Sequence, residues 1–377
     1  MFRLWLQNAA DVQVNICQHQ VLATCLGQAS QKIQTFDVDE LSMLVSGASD
    51  AGSAEFLCLA QQATVVMVSG AVSCAWQGSS WASFGEAGKE LLGILFSCRL
   101  SGCLQAHFHE FMGKAMTSVG ARMDVAEVEI PTKLPSQEST EYTELHLTVV
   151  DLPDRSVLFK PPGWEVYGQH VDHQLSDFVI ASFGNAPIFH DVQHNFGFLH
   201  RLDVPSSGLI LVAKTYEAFY DMQVQLHAGD MHRDYTVLCH GVLPRTLSEI
   251  AARLQPTEDG QTLAGRGKIS FSKIVCKSTY LQHRVGALSQ ALLAIDTGRK
   301  HQIRSHLAHV GHPVVRDRLY ASLDTFNFDA SLSSRNWLHR HRLIFQDLAG
   351  EKREVFSELP QDLQLPSSIM PFSTKEA

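Results

Sequence analysis

Ionisable side chains are concentrated in residues 200–208, which read His-Arg-Leu-Asp-Val-Pro-Ser-Ser-Gly. Asp203 lies two positions after Arg201, in a turn that proline and glycine brace. A nearby cation would keep this carboxylate ionised at neutral pH. A fixed, ionised aspartate can act as a nucleophile or as a general base. An Arg-Leu-Asp sequence by itself is more often a structural pair that holds a turn, so both interpretations stay open here.

A second segment, residues 297–306, reads Thr-Gly-Arg-Lys-His-Gln-Ile-Arg-Ser-His and stands at the expected start of a helix. Cations at that end oppose the helix dipole. Such an arrangement is typical of sites that face an anion or a phosphate group. Residues 298–318 hold five Lys or Arg side chains and one acid, Asp317. A solvated basic face is the competing interpretation.

The elements that would position these segments form an alternating series. Apolar runs bounded by turn residues predict strands, and apolar spacing of three and four residues predicts helices. The predicted strands are 145–150, 156–159, 209–213, 235–239, 269–275 and 291–295, and the predicted helices are 216–227 and 301–310. This mixture indicates an α+β domain of more than 200 residues.

The N-terminal third has a different pattern. Residues 1–130 are predicted to be a helical extension of unknown role, because the apolar spacing at residues 41–48 repeats at residues 91–98. This repetition makes degenerate helical repeats one hypothesis for the extension. The polar, Pro-containing residues 131–144 are predicted to be a linker, and residues 356–377 a C-terminal tail.

Composition limits the possible classes of protein. The 377 residues include 30 Lys or Arg and 39 Asp or Glu, for a net charge of −9, which argues against a protein that coats nucleic acid with its whole surface. Eight cysteines without a Cys-x-x-Cys pair indicate reduced thiols in an intracellular protein. The apolar residues 63–76 are too few for a membrane span and are expected to be a buried segment.

Ordered motifs over residues 145–350 resemble the RluA-type family of pseudouridine synthases. The matching segments are residues 159–163, 200–208, 233–235, 298–306 and 311–320, followed by Leu338, His339 and residues 343–345. The resemblance implies the α+β pseudouridine synthase fold over residues 145–355. That fold has a mixed, mainly antiparallel sheet with flanking helices and loops.

The resemblance also implies roles for individual residues. Asp203 would be the catalytic aspartate, Tyr235 would stack on the target base, and Arg304 would form an ion pair with Asp203. The implied substrate-binding residues are Arg201, His200, Arg299, His301, Gln302 and Lys160. The reaction would break the C1′–N1 bond of a uridine, rotate the uracil and join C5 to C1′. Asp203 could act as nucleophile at C1′ or as base at C2′, and the sequence does not distinguish between these two roles.

Three residues depart from the family pattern. Arg233 stands where a lysine is usual, Ser206 where a threonine is usual, and Arg316 where a glycine precedes the aspartate. None of these changes removes an essential group, so activity is expected. The bulk and charge of Arg316 in a tight turn make it the expected place for altered substrate fit.

The expected protein is therefore an isomerase that needs no metal and no other cofactor. Its expected partner is RNA, either ribosomal or transfer RNA, and no membrane association is expected. The chain is expected to be an intracellular monomer, in the cytoplasm or in an organelle (mitochondrion or plastid). A catalytically idle RNA-binding protein or RNA chaperone is the alternative. A glycosidase is disfavoured because such enzymes usually pair two carboxylates, and the turn at 200–208 has one.

Overall fold

The structure is a computed structural model that describes residues 37–51, 53–74, 81–126, 145–168, 170–282, 286–365 and 370–371. The predicted linker, residues 131–144, lies outside the described residues. By its internal packing the chain divides into two units. One comprises Met1–Glu129 with Thr215–Met231, and the other comprises Ile130–Lys214 with His232–Ala377.

The first unit is built from helices whose apolar side chains recur every three or four residues. They are α1 (Val38–Ala51), α2 (Ala54–Cys74), α3 (Trp81–Leu100), α4 (Ala106–Val125) and α6 (Tyr216–Ala228). The periodic residues Leu41 and Val45 of α1 are fully buried, as are Ile94 and Leu95 of α3. Burial of one apolar face therefore stabilises each helix in this unit.

Helix α6 is distant in sequence from the N-terminal helices but packs with α3 and α4. The backbone N–H groups of Tyr216 and Glu217 donate to the Asp124 carboxylate at 2.8 and 3.0 Å. A negative side chain at a helix N-terminus satisfies unpaired donors and complements the helix dipole. Gly120 allows the close approach, because a Cβ there would overlap the backbone of Glu217.

The second unit is organised around a sheet of eleven strands. The strands are β1 (Thr148–Asp151), β2 (Arg155–Lys160), β3 (Ser207–Ala213), β4 (His232–His240), β5 (Glu249–Pro256), β6 (Thr262–Ala264), β7 (Lys268–Gln282), β8 (Gly286–Ile295), β9 (Leu338–Gln346), β10 (Lys352–Phe356) and β11 (Met370–Pro371). Their order is β1-β2-β3-β9-β4-β8-β7-β5-β6, with β10 beside β9 and β11 beside β7. Among the described pairs, β3 and β9 are parallel and the others are antiparallel.

The described part of this unit also contains the α-helices α5 (Leu175–Phe183), α7 (Gln302–His309) and α8 (Leu323–Phe328). The predicted α+β class, with a mixed and mainly antiparallel sheet and N-terminal helices, is confirmed. Strands β5, β6, β10 and β11 and helices α5 and α8 are not predicted from the sequence.

One part of the core includes a short segment near the C-terminus. Trp337 and Leu238 are fully buried there, and so is Leu363 of the 3₁₀ turn Gln361–Leu363. Leu359 and Leu365 pack against the same cluster. Residues that the sequence analysis assigns to a tail are therefore held in the core, because three leucines at short spacing bury apolar surface.

Candidate active site

Asp203 lies in the turn that leads into β3, and several backbone contacts fix this turn. The N–H of Ser206 donates to the carbonyl of Asp203 at 3.0 Å, and the N–H of Gly163 donates to the carbonyl of Val204 at 2.8 Å. At the end of the turn, Gly208 has φ +128°, and a Cβ there would overlap the backbone of Arg340. Glycine is required at this position by both its backbone conformation and the close approach.

Arg304 connects Asp203 to a second carboxylate. Its Nη1 donates to Asp203 Oδ2 at 2.7 Å, while Nε and Nη2 donate to Oδ2 and Oδ1 of Asp317 at 2.6 and 2.7 Å. The exposed fractions are 23% for the Asp203 side chain, 5% for Arg304 and 0% for Asp317. A buried, bidentate pair with Asp317 therefore orients Arg304 so that an N–H of Nη1 points at the partly exposed Asp203 carboxylate.

Burial and the neighbouring carboxylates act on the pKa of Arg304 in opposite directions. Burial by itself lowers the pKa of Arg304, but the hydrogen bonds to Asp317 and the charge of Asp203 raise the pKa above its ordinary value. The guanidinium is consequently a permanent cation beside Asp203.

His301 approaches Asp203 from the start of α7. Its Nε2 lies 3.8 Å from Asp203 Oδ1, and its Nδ1 lies 3.0 Å from the hydroxyl of Tyr320. That hydroxyl accepts a hydrogen bond from the N–H of Thr262 at 2.8 Å. Burial lowers the pKa of His301, although the charge of Asp203 raises it. The tautomer with the proton on Nε2 fits these contacts, because the Tyr320 hydroxyl can then donate to Nδ1.

Tyr235 and His200 form a second group, joined through Arg340. The Nε of Arg340 donates to the Tyr235 hydroxyl at 2.9 Å, and its Nη1 lies 2.8 Å from His200 Nδ1. Arg340 also donates to the carbonyl of Leu209 at 3.0 Å and is 1% exposed. Burial, followed by the charges of Arg340 and Arg233, lowers the pKa of His200 well below its ordinary value. His200 is thus a neutral acceptor for Arg340.

Two residues that were expected to bind substrate are fully engaged inside the protein. The Lys160 ammonium is buried and donates to the carbonyls of Pro161, Trp164 and Val204 at 2.9, 2.8 and 3.1 Å. Burial lowers the pKa of Lys160 to about 7, although the charge of Asp203 raises it. Lys160 therefore supports the Asp203 turn and offers no accessible group to RNA.

Gln302 is the other buried member of the expected binding set, at 3% exposure. Its side chain donates to the carbonyl of Phe271 at 2.8 Å and accepts from the Thr297 hydroxyl and the Arg299 N–H at 2.7 and 3.1 Å. These bonds fix the turn before α7, so Gln302 positions that turn and does not face solvent.

Of the remaining two members, Arg201 is the accessible one. Its side chain is 57% exposed and lies 3.6 Å from Glu165 Oε1, with the guanidinium 5.4 Å from the centre of the Tyr167 ring. Arg299 is half-buried, and burial lowers its pKa. Arg201 is therefore the more accessible cation of the two.

Two of the residues that depart from the family pattern, Arg233 and Arg316, make contacts inside the protein. Arg233 is buried and donates to the carbonyls of Ile295 and Asp296 at 3.3 and 3.2 Å. Arg316 has the left-handed φ of +58°, which explains why glycine is usual there. Its guanidinium lies 3.9 Å from the centre of the Phe326 ring. The side chain thus packs on α8.

Arg340, Tyr320 and Asp317 are site residues that are not predicted as such from the sequence. A cation at the third position of Leu-His-Arg-His-Arg, in a strand, was the available signal for Arg340. No group of three or more His, Cys, Asp or Glu side chains within the described ranges is arranged to hold a metal ion. Likewise, no helix that the structure describes is long and apolar enough to cross a membrane.

A family model described as RNA pseudouridylate synthase matches residues 155–309, which include Asp203, Tyr235 and Arg304. The ribosomal large subunit pseudouridine synthase D of Xanthomonas campestris is 31% identical over 269 residues, which cover 66% of this chain and 77% of that protein. The protein of the same name from Pseudomonas aeruginosa is 29% identical over 181 residues, covering 48% of this chain and 52% of its own. The chain thus spans about half the length of the Pseudomonas relative.

Among solved structures, human RNA pseudouridylate synthase domain containing 1 is similar at 21% identity and a TM-score of 0.48, over 61% of this chain and 90% of that chain. From the relatives and the family model together, the chain belongs to the RluA-type family of RNA pseudouridine synthases.

Proposed function

We propose that the chain isomerises specific uridines in RNA to pseudouridine, with Asp203 as the catalytic residue. The observation that carries this proposal is the contrast between a partly exposed Asp203 and its buried partner Arg304, at 23% and 5% exposure. A carboxylate that is held at one oxygen and open at the other is suited to act on a substrate atom.

The pairing determines which oxygen of Asp203 would react. Oδ2 accepts from Arg304 at 2.7 Å, and Oδ1 lies 3.8 Å from His301 Nε2. Oδ1 is therefore the oxygen that would reach the sugar, either as nucleophile at C1′ or as base at C2′. Breaking the C1′–N1 bond frees the uracil, which must be kept in place while C5 turns towards C1′.

Tyr235 would retain the uracil by stacking. Arg340 fixes its ring, because the guanidinium donates to the hydroxyl and lies 5.0 Å from the ring centre. A ring with a fixed plane loses little freedom when a base stacks on it. The target nucleotide would have to leave its own base stack to reach this group. Arg201, exposed beside the turn, would occupy the place that the nucleotide leaves.

The proposed substrate is ribosomal RNA, or alternatively transfer RNA. The similar proteins from Xanthomonas and Pseudomonas carry names that refer to the ribosomal large subunit, which supports ribosomal RNA. A monomer that acts inside the cell, without a metal or another cofactor, is part of the same proposal.

Tritium release from RNA labelled at uridine C5 tests this function, since C5 exchanges its hydrogen for a bond to C1′. The substrate is total RNA from cells that lack this chain. We expect release with the wild-type chain and none with Asp203→Asn. The matched control is Asp324→Asn, the same chemical change at an exposed site in α8, which should keep full activity.

An idle RNA-binding protein would give a different result. In that case the wild-type chain would release no tritium from any RNA but would still bind it, and Asp203→Asn would bind equally well. A wild-type chain that releases tritium at a rate that Asp203→Asn does not change would contradict the assignment of Asp203.

A further inference from the structure

The backbone that follows Asp203 is held residue by residue. The carbonyl of Val204 accepts from Lys160 at 3.1 Å, and the carbonyl of Pro205 accepts from Arg335 Nη1 at 3.2 Å. The Ser206 hydroxyl accepts from Asn336 at 3.0 Å. The position of the Asp203 carboxylate depends on the backbone around it, so these contacts help to fix that position.

Arg335 contributes more than one of these contacts. Besides the Pro205 carbonyl, its Nη2 donates to the Ser207 hydroxyl at 2.9 Å, and that hydroxyl lies 2.9 Å from His339 Nδ1. The Arg335 side chain is 8% exposed. A cation this deeply buried needs a compensating charge to be stable.

Asp362 supplies that charge from the C-terminal segment. Its Oδ2 and Oδ1 accept from Nε and Nη2 of Arg335 at 2.6 and 3.2 Å. Leu363, the next residue, is fully buried in the core beside Trp337, which anchors the 3₁₀ turn that presents Asp362. The Asp362 side chain is 38% exposed, but the burial of Leu363 holds its backbone beside Arg335.

We propose that Asp362, acting through Arg335, positions the loop that carries Asp203. This inference rests on the proposed function. It gives residues 359–365 a role in catalysis although they lie outside the segment that the family model matches, residues 155–309. Asp362 is a positioning residue and touches no reacting atom.

The matched comparison is Asp362→Asn against Glu358→Gln. Both variants remove one negative charge near the C-terminus, but Glu358 is exposed and is not among the hydrogen-bond partners of the Arg335 side chain, which are Pro205, Ser207 and Asp362. With enzyme in excess over C5-tritiated total RNA, Asp362→Asn should slow release by about tenfold, because small displacements of a catalytic group have large effects. The dissociation constant for the same RNA should stay within about twofold, and Glu358→Gln should match the wild type.

A second readout does not require activity. Hydrogen exchange of the backbone amides at residues 203–207 should become faster in Asp362→Asn than in Glu358→Gln, while amides in α6 stay unchanged. Asp362→Glu should restore most of the rate, since it keeps the charge. If Asp362→Asn leaves both the release rate and the exchange at 203–207 unchanged, the proposal is wrong. If no variant and no wild-type chain releases tritium, the proposed function fails, and the exchange experiment alone decides whether Asp362 holds the loop.

Discussion

The replacement Asp317→Asn tests whether Arg304 must be anchored in order to hold Asp203. Asp317 is fully buried and accepts two hydrogen bonds from Arg304, at 2.6 and 2.7 Å. Asparagine has the same shape, but it keeps one acceptor oxygen and turns an N–H₂ group towards the guanidinium. One charge-assisted bond is lost and two donors face each other.

The magnitude follows from these contacts. A hydrogen bond to a charged group contributes about 1.5–3 kcal/mol, and breaking a buried ion pair costs about 3–5 kcal/mol. Asp203 still accepts from Arg304 at 2.7 Å and compensates part of the charge, so the lower end applies. We expect the free energy of unfolding to fall by about 3 kcal/mol. If a similar loss affects the positioned transition state, the rate falls about 100-fold.

Two measurements separate stability from catalysis. Urea unfolding at 25 °C gives the free energy of unfolding, and single-turnover tritium release gives the rate at a temperature where the variant is folded. Asp324→Asn, seven residues along the chain and exposed, is the control and should change neither value. A variant that loses stability but releases tritium at the wild-type rate would refute the view that Asp317 acts on Asp203 through Arg304.

Three further predictions concern residues around the site. Tyr235→Phe removes the hydroxyl that accepts from Arg340, so the free energy of unfolding in urea should fall by about 2 kcal/mol. Because the aromatic ring remains, Tyr235→Phe should still release tritium faster than Tyr235→Ala. Burial lowers the pKa of both His306 and His339 to about 4 from 6.5, so the unfolded chain takes up protons first on acidification. Stability should therefore decrease as pH falls from 6.5 to 4, and urea unfolding of a His339→Gln variant should show a smaller decrease. Arg316→Gly should be more stable than Arg316→Ala by about 1 kcal/mol in thermal unfolding, because the backbone at this position is left-handed.

Local patterns in the sequence were sufficient for most elements near the site. The continuous apolar run at residues 209–213 and the apolar residues of 216–227 predict β3 and α6, and β3 is buried at every position. The resemblance also implied the pair of Asp203 and Arg304, which the structure places at 2.7 Å. Their roles in the reaction stay predictions.

Other features depend on contacts that distant parts of the chain make. The cation Lys160 was expected to bind RNA, but its burial results from three carbonyls that belong to two different turns. Arg340 enters the site only because β9 lies between β3 and β4. Likewise, Asp362 is polar and close to the chain end, and nothing local to it indicates that Leu363 is buried or that Arg335 lies beside it.

Burial also changes how the basic segment at residues 298–318 should be interpreted. It holds five cations against one acid, but Arg304 is paired with Asp203 and Asp317, and Arg316 packs on Phe326. A cation that is already paired inside the protein releases no counterions when a phosphate approaches. The exposed cations of this segment are Lys300 and Arg318, and Arg201 adds a third beside Asp203. Because accessible charges are the ones that can meet phosphates, affinity for RNA would rest on fewer cations than this segment contains, and Arg304 instead holds Asp203.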